Sequence, residues 1–199
     1  MPEHDIKLTP RWEWRTFADS LAWLETKIGA LDIVEPHQSE EIYLLHSSTP
    51  HSAKIRSGVL EIKRLKQVDP SGLELWYPTF KGAFPLTSSI LHEAFIALGL
   101  HPPIFALNSY PINIFLSEII ARDAAFCPVR VSKVRRQFVF GGCAAEFVRI
   151  TAGGVELESF CIEDEALERV LSALRELGLD SHANVRLPNG LRRALSMST

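Results

Sequence analysis

The stretch KIRSGVLEIKRL, residues 54–65, sets Lys54 and Arg56 two residues apart among aliphatic neighbours, and Glu61 and Lys63 likewise. A two-residue spacing puts side chains on one face of a β-strand. The pattern recurs. Val131, Lys133, Arg135 and Gln137 share a face, and Glu156, Glu158 and Phe160 oppose Val155, Leu157, Ser159 and Cys161. Tyr77, Thr79 and Lys81 share a face with Leu73 and Leu75. Charges of both signs on one face, repeated strand after strand, permit two architectures. One is an ordinary antiparallel sheet with a wet face. The other is a sheet curled into a barrel with a charged lining. In such a lining Lys and Arg can hold a polyanion, and carboxylates can hold a divalent metal that bridges phosphate oxygens.

The rest of the chain fills in an α+β outline. Residues 11–17 read as a strand, and 19–29 as a helix capped by Asp19 or Ser20 and stopped by Gly29. Strand pattern covers EEIYLLHS, then 54–67 as one strand with a bend or bulge at Gly58, then 73–82 after the VDPSG turn. Helices are expected at 88–99 and in INIFLSEIIARDAAF, within an apolar section near 83–128. That section could be core, a plug or a dimer surface, and a homodimer is among the expectations. Strands resume at 128–142 and in CAAEFVRITA, with Gly153-Gly154 as a hairpin turn into VELESFCI. Glu163 and Asp164 read as the acidic start of a Leu-striped helix ending at Gly178, and a short basic helix follows near the C-terminus. Without linkers or repeats, 1–199 reads as a single domain.

Composition excludes several function classes. With 21 basic and 24 acidic residues, a formal charge of -3 exerts no global pull on nucleic acid or membrane. Cys127, Cys143 and Cys161 lack zinc or disulfide spacing and read as free thiols. The histidines have no ligand spacing; His51, beside the basic row, is the one singled out. The N-terminus lacks an apolar signal region, and no apolar run is long enough to span a bilayer, so a cytoplasmic protein is expected.

In order, these elements resemble the CYTH superfamily, also called triphosphate tunnel metalloenzymes. RWEWR offers Arg11, Glu13 and Arg15 for its first-strand E-x-E-x-K. YLLHSSTPHSAKIRSGVLEIKRL offers Tyr43, Thr49-Pro50, Lys54, Arg56, Gly58, Leu60, Ile62 and Lys63 for its second block. Lys81-Gly82, Lys133 with Arg135, and Glu156 with Glu158 before a Leu-striped helix supply the later elements. The resemblance spans roughly residues 11–178. It implies a closed antiparallel β-barrel, or tunnel, of about eight strands with flanking helices.

The resemblance further implies a metal-dependent hydrolase of a small-molecule or polymeric triphosphate. Glu13, Glu156 and Glu158, with Glu146, would hold Mg²⁺ or Mn²⁺. Arg15, Lys54, Arg56, Lys63, Lys81, Lys133 and Arg135 would cradle phosphates, and metal-activated water would attack the terminal phosphorus. The chain departs from the pattern at Arg11, where a Glu is usual, at Arg15 in place of Lys, and at Glu61 in place of Arg. Arg11 and Glu61 motivate a second reading, a non-catalytic phosphate- or nucleotide-binding or regulatory protein. An adenylyl cyclase is a third.

Overall fold

The computed structural model describes residues 9–29 and 35–196; the N-terminal segment with His4 lies outside them. The main elements are β1 (Arg11–Ala18), α1 (Ala22–Ile28), β2 (His37–His46), β3 (Ser52–Arg56), β4 (Val59–Val68) and β5 (Glu74–Ala83). A two-residue strand β6 (Leu86–Thr87), α2 (Ser88–Ala97) and its partner strand β7 (Ser109–Tyr110) follow, then α3 (Ile112–Ile114), which runs into a π-helical turn, Phe115–Ile120. The chain continues through β8 (Phe126–Phe140), β9 (Cys143–Ala152), β10 (Val155–Asp164), α4 (Leu167–Leu177) and α5 (Leu187–Ala194).

Eight antiparallel strands close a barrel in the order β1-β10-β9-β8-β2-β3-β4-β5. Closure falls on β1, which pairs with β10 from Trp12↔Asp164 to Ala18↔Glu158 and with β5 from Arg11↔Trp76 to Glu13↔Glu74. Residues 54–67 are not one bent strand. Ser57 and Gly58 both take positive φ, 49° and 74°, and join β3 to β4 as a two-residue hairpin. The basic row is thereby folded on itself, with Lys54 across from Glu61. Gly141-Gly142 turns β8 into β9, and Gly153-Gly154 turns β9 into β10. Near Pro78 the β4–β5 pairing shifts register between Ile62 and Lys63, because proline has no N–H to give the ladder.

Alternation along the strands sorts side chains between the outside and the inside. Outward aliphatics lie beneath two helical layers. In one, α4 and Leu24 of α1 cover Trp14, Phe138, Phe147, Phe160 and Ile162. In the other, α2 and residues 112–120 cover Leu44, Ala53, Ile55, Leu60 and Ile62, which is where the apolar section 83–128 goes. Inside, the barrel is apolar over part of its length. Tyr43, Leu45, Val129, Val131, Val148 and Ile150 cluster there, and α5 closes over them with Leu187 and Leu191. Burying each leucine is worth roughly 2 kcal/mol, enough to hold a two-turn helix that could not persist alone.

Gly190 lets α5 come this close, since a Cβ there would run into the Phe17 ring. Gly190→Val should therefore cost on the order of 2–3 kcal/mol, visible as a lowered thermal midpoint. Cys127, Cys143 and Cys161 are free thiols, and among the described residues no helix is long and apolar enough to cross a membrane.

Candidate functional site

The charged rows line a cavity of about 370 Å³ inside the barrel. Its walls include Glu13 and Arg15 of β1, Lys54 and Arg56 of β3, Glu61 and Lys63 of β4, Lys133 and Arg135 of β8, Glu146 of β9, and Cys161 and Glu163 of β10. Leu187 and Pro188 of α5 add an apolar patch. Of the expected phosphate ligands, Arg15, Lys54, Arg56, Lys63, Lys133 and Arg135 come together here. Lys81 stands across from Glu61 on β5 and is exposed.

The carboxylates divide differently from the sequence reading. Glu13 and Glu146 face the cavity. Glu156 and Glu158 do not join them, because β10 turns its odd-numbered residues inward. Glu156 is exposed, while Glu158 accepts the Leu21 N–H at 2.6 Å beside α1. The inward carboxylate of β10 is Glu163, cross-strand neighbour of Glu13. Sequence reasoning placed Glu163 in a helix start, but β10 runs through Asp164.

Sequence reasoning also missed Glu41, the most enclosed charge in the barrel at 2% exposed. Its Oε1 lies 2.5 Å from Arg135 Nη2, 3.3 Å from Lys54 Nζ and 3.8 Å from Arg56 Nη1; its Oε2 lies 3.3 Å from Lys133 Nζ. Four cations therefore converge on one carboxylate. Burial alone would raise the Glu41 carboxyl, but Lys133, Lys54 and Arg135 outweigh it and hold it well below the ordinary range. The available signal was parity: Glu41 shares a strand face with Tyr43, and it pairs with Arg56 across β2–β3.

Lys133 is displaced in the opposite sense for a cation. Burial, with Arg15, Arg135 and Lys54 nearby, pushes its ammonium down to about 7 despite Glu41. It donates to Tyr43 Oη at 2.6 Å. Across the cavity, Arg15 is pinned. Its Nε lies 3.3 Å from Glu13, its Nη2 3.1 Å from Glu146, and its Nη1 3.0 Å from Ser159 Oγ. Burial would raise Glu13, but Arg15 and Lys63 hold it below the ordinary carboxylate value. Arg11, at the rim, reaches Glu163 at 2.7 Å. Glu61 accepts from Arg56 at 3.0 Å and lies 3.5 Å from Lys54. Burial, helped by the Glu13 and Glu146 carboxylates and opposed by Arg15, pushes the Cys161 thiol well up, so it remains a thiol rather than a nucleophile. His51 accepts the Leu65 N–H at 3.2 Å, and burial and Arg64 push it down, so it is a neutral structural residue.

Six basic side chains of the lining, with Arg11 and Lys81 against the edge carboxylates Glu163 and Glu61, face five carboxylates (Glu13, Glu41, Glu61, Glu146 and Glu163), an excess of three positive charges when Lys133 is protonated, in a chain of formal charge -3. Glu74 is matched separately by Arg186 at 2.9 Å. The arrangement can neutralise an extended anion.

Solved structures share this architecture. A conserved hypothetical protein from Pyrococcus furiosus superposes with a TM-score of 0.54 at 18% identity, over 89% of this chain and 96% of that one. A Bacillus halodurans protein, bh2851, named as a candidate adenylate cyclase, gives 0.52 at 16% identity, over 91% and 95%. HpAC1 from Hippeastrum, named as a candidate adenylyl cyclase and described as having a dominant triphosphatase activity, gives 0.51 at 13% identity, over 95% and 97%. No protein-family model and no curated protein matches the chain. What the chain shares with them is the fold, a closed barrel of eight antiparallel strands with flanking helices.

Proposed function

We propose that the tunnel binds the triphosphate chain of an inorganic or organic triphosphate, and that its reaction is hydrolysis of the terminal anhydride. The observation that carries this reading is the convergence of Lys54, Arg56, Lys133 and Arg135 on Glu41. Glu41 sets a single negative charge against these four basic groups, and they are of the kind from which phosphoryl oxygens accept. The triphosphatase activity described for HpAC1 supports the same reading.

The Mg²⁺ or Mn²⁺ of the resemblance does not fit the donor set. Among the described residues no three His, Cys, Asp or Glu side chains stand grouped as metal ligands. Glu13 and Glu146 are bridged by Arg15, and Glu163 is taken by Arg11. The chemistry therefore falls to the side chains. Lys133, whose ammonium burial and neighbouring cations push down to about 7 in the ligand-free barrel, accepts a proton from the attacking water. The water oxygen bonds to the terminal phosphorus as the bridging P–O bond breaks, and Arg56 and Arg135 neutralise the departing oxygens.

The test is phosphate release from tripolyphosphate, ATP and thiamine triphosphate, with and without Mg²⁺ or Mn²⁺. Turnover of at least one supports the hydrolase. Binding without turnover supports the second reading, a non-catalytic anion-binding protein, which is favoured by the arginine-paired state of Glu13, Glu146 and Glu163. Cyclic AMP formed from ATP would move the assignment to a cyclase.

Glu61 tempers the cluster. Glu61→Gln frees Arg56 and Lys54, and should tighten tripolyphosphate binding a few-fold, on the order of 0.5–1 kcal/mol for these partly exposed pairs. Calorimetric titration at low salt measures it.

A further inference from the structure

We propose that Arg15 is the resident cation of this tunnel: its guanidinium sits where Glu13 and Glu146 converge, so the ligand enters as the free polyphosphate anion rather than as a divalent-metal complex. The position is built, not incidental. The Arg15 residue is 7% exposed, its guanidinium bonds Glu13, Glu146 and Ser159, and its main-chain N–H donates to Asn184 Oδ1 at 2.9 Å. Asn184 is itself fixed, donating to the Gly72 carbonyl at 3.0 Å.

A Mg²⁺ or Mn²⁺ ion keeps several waters and is commonly held by one or two carboxylates together with phosphate oxygens, in near-octahedral array. The candidate oxygens are those of Glu13, Glu146 and Glu163, and each already has a guanidinium on it. Lys63 adds a further positive charge that acts on Glu13 and Glu163. A divalent ion would have to break these pairs and then sit beside the guanidinium it displaced. Arginine cannot relieve that repulsion by losing a proton, as a lysine could. The excess of positive charge in and around the cavity supplies what a metal would otherwise bring with the ligand.

The claim about the ligand's form rests on the triphosphate reading; the claim about the carboxylates does not. Two measurements separate them. In Mn²⁺ titrations followed by electron paramagnetic resonance, the wild-type chain should leave the free Mn²⁺ signal intact. Arg15→Gln should take up roughly one ion per chain, as an opened carboxylate site would, and Glu13→Gln added to it should abolish that uptake. Wild-type uptake that Glu13→Gln removes would overturn the proposal, and so would a folded Arg15→Gln that takes up none. If that variant does not fold, the wild-type titration and Glu13→Gln alone still decide.

In calorimetry, tripolyphosphate should bind the wild type at least as tightly in EDTA as in excess Mg²⁺. Binding that appears only with Mg²⁺ would overturn the ligand claim. No binding in either buffer would remove the triphosphate reading, and with it the ligand claim, while the Mn²⁺ titration still decides whether Arg15 holds the carboxylates.

Discussion

Glu41→Gln should lower stability by about 3–5 kcal/mol in anion-free buffer, the cost of removing one partner from a buried charge cluster. Lys54, Arg56, Lys133 and Arg135 would then face one another across an amide that cannot neutralise them. Added phosphate or tripolyphosphate should return much of the loss, because the ligand supplies the missing charge and binds only the folded chain. Chemical denaturation with and without phosphate measures both effects. The pH dependence has a definite sign. Glu41 is held below its ordinary value of 4.5, so its contribution is present above that pH and is lost as acid protonates it. Wild-type stability should fall below about pH 4.5, and that of Glu41→Gln should fall less.

Lys133→Met should reduce turnover by roughly 10²–10⁴-fold, the usual worth of a general base. The wild-type kcat should rise with pH through an inflection above 7, because the bound anion favours the Lys133 ammonium, and the variant should lose that inflection. Affinity should move the opposite way, falling above about pH 7 as one of the four cations disappears. Stability has its own sign. Lys133 is depressed from 10.5 to about 7, so between those values the unfolded chain holds a proton that the folded chain does not, and the fold gains stability as pH rises. Steady-state profiles of kcat and KM, together with denaturation at several pH values, separate these effects.

Much of this was written in the strand alternation. The pairs Lys54/Arg56 and Lys133/Arg135 each share a face, and their aliphatic neighbours Ile55, Leu60 and Ile62 mark the opposite one. What parity could not say was which face of β10 turns inward, since both carry carboxylates. The answer lay two residues further on, where Phe160 and Ile162 pack outward against the α4 layer and commit Cys161 and Glu163 to the interior. Reading Glu163 as a helix start hid it, because acidic residues favour helix N-termini as readily as they fill a strand end. The Ser57-Gly58 hairpin escaped for a related reason: Ser57 takes a positive φ that serine seldom adopts, so the turn lacks the usual Asn-Gly signal. Glu41 shares a face with Tyr43, but the cations that single it out lie on other strands, which one strand's sequence does not reveal.

If this barrel holds an extended phosphate chain on its inward cations, the interaction is open to direct measurement. Isothermal titration of tripolyphosphate in EDTA, for the wild type and for Lys54→Ala/Arg56→Ala, provides it. The wild type should show a single saturable site. The double variant should bind more weakly by roughly 100-fold or more, because it lacks two of the charged donors that phosphate oxygens would accept from. No binding to the wild type, or equal affinity in the two proteins, would contradict a phosphate chain held on these cations.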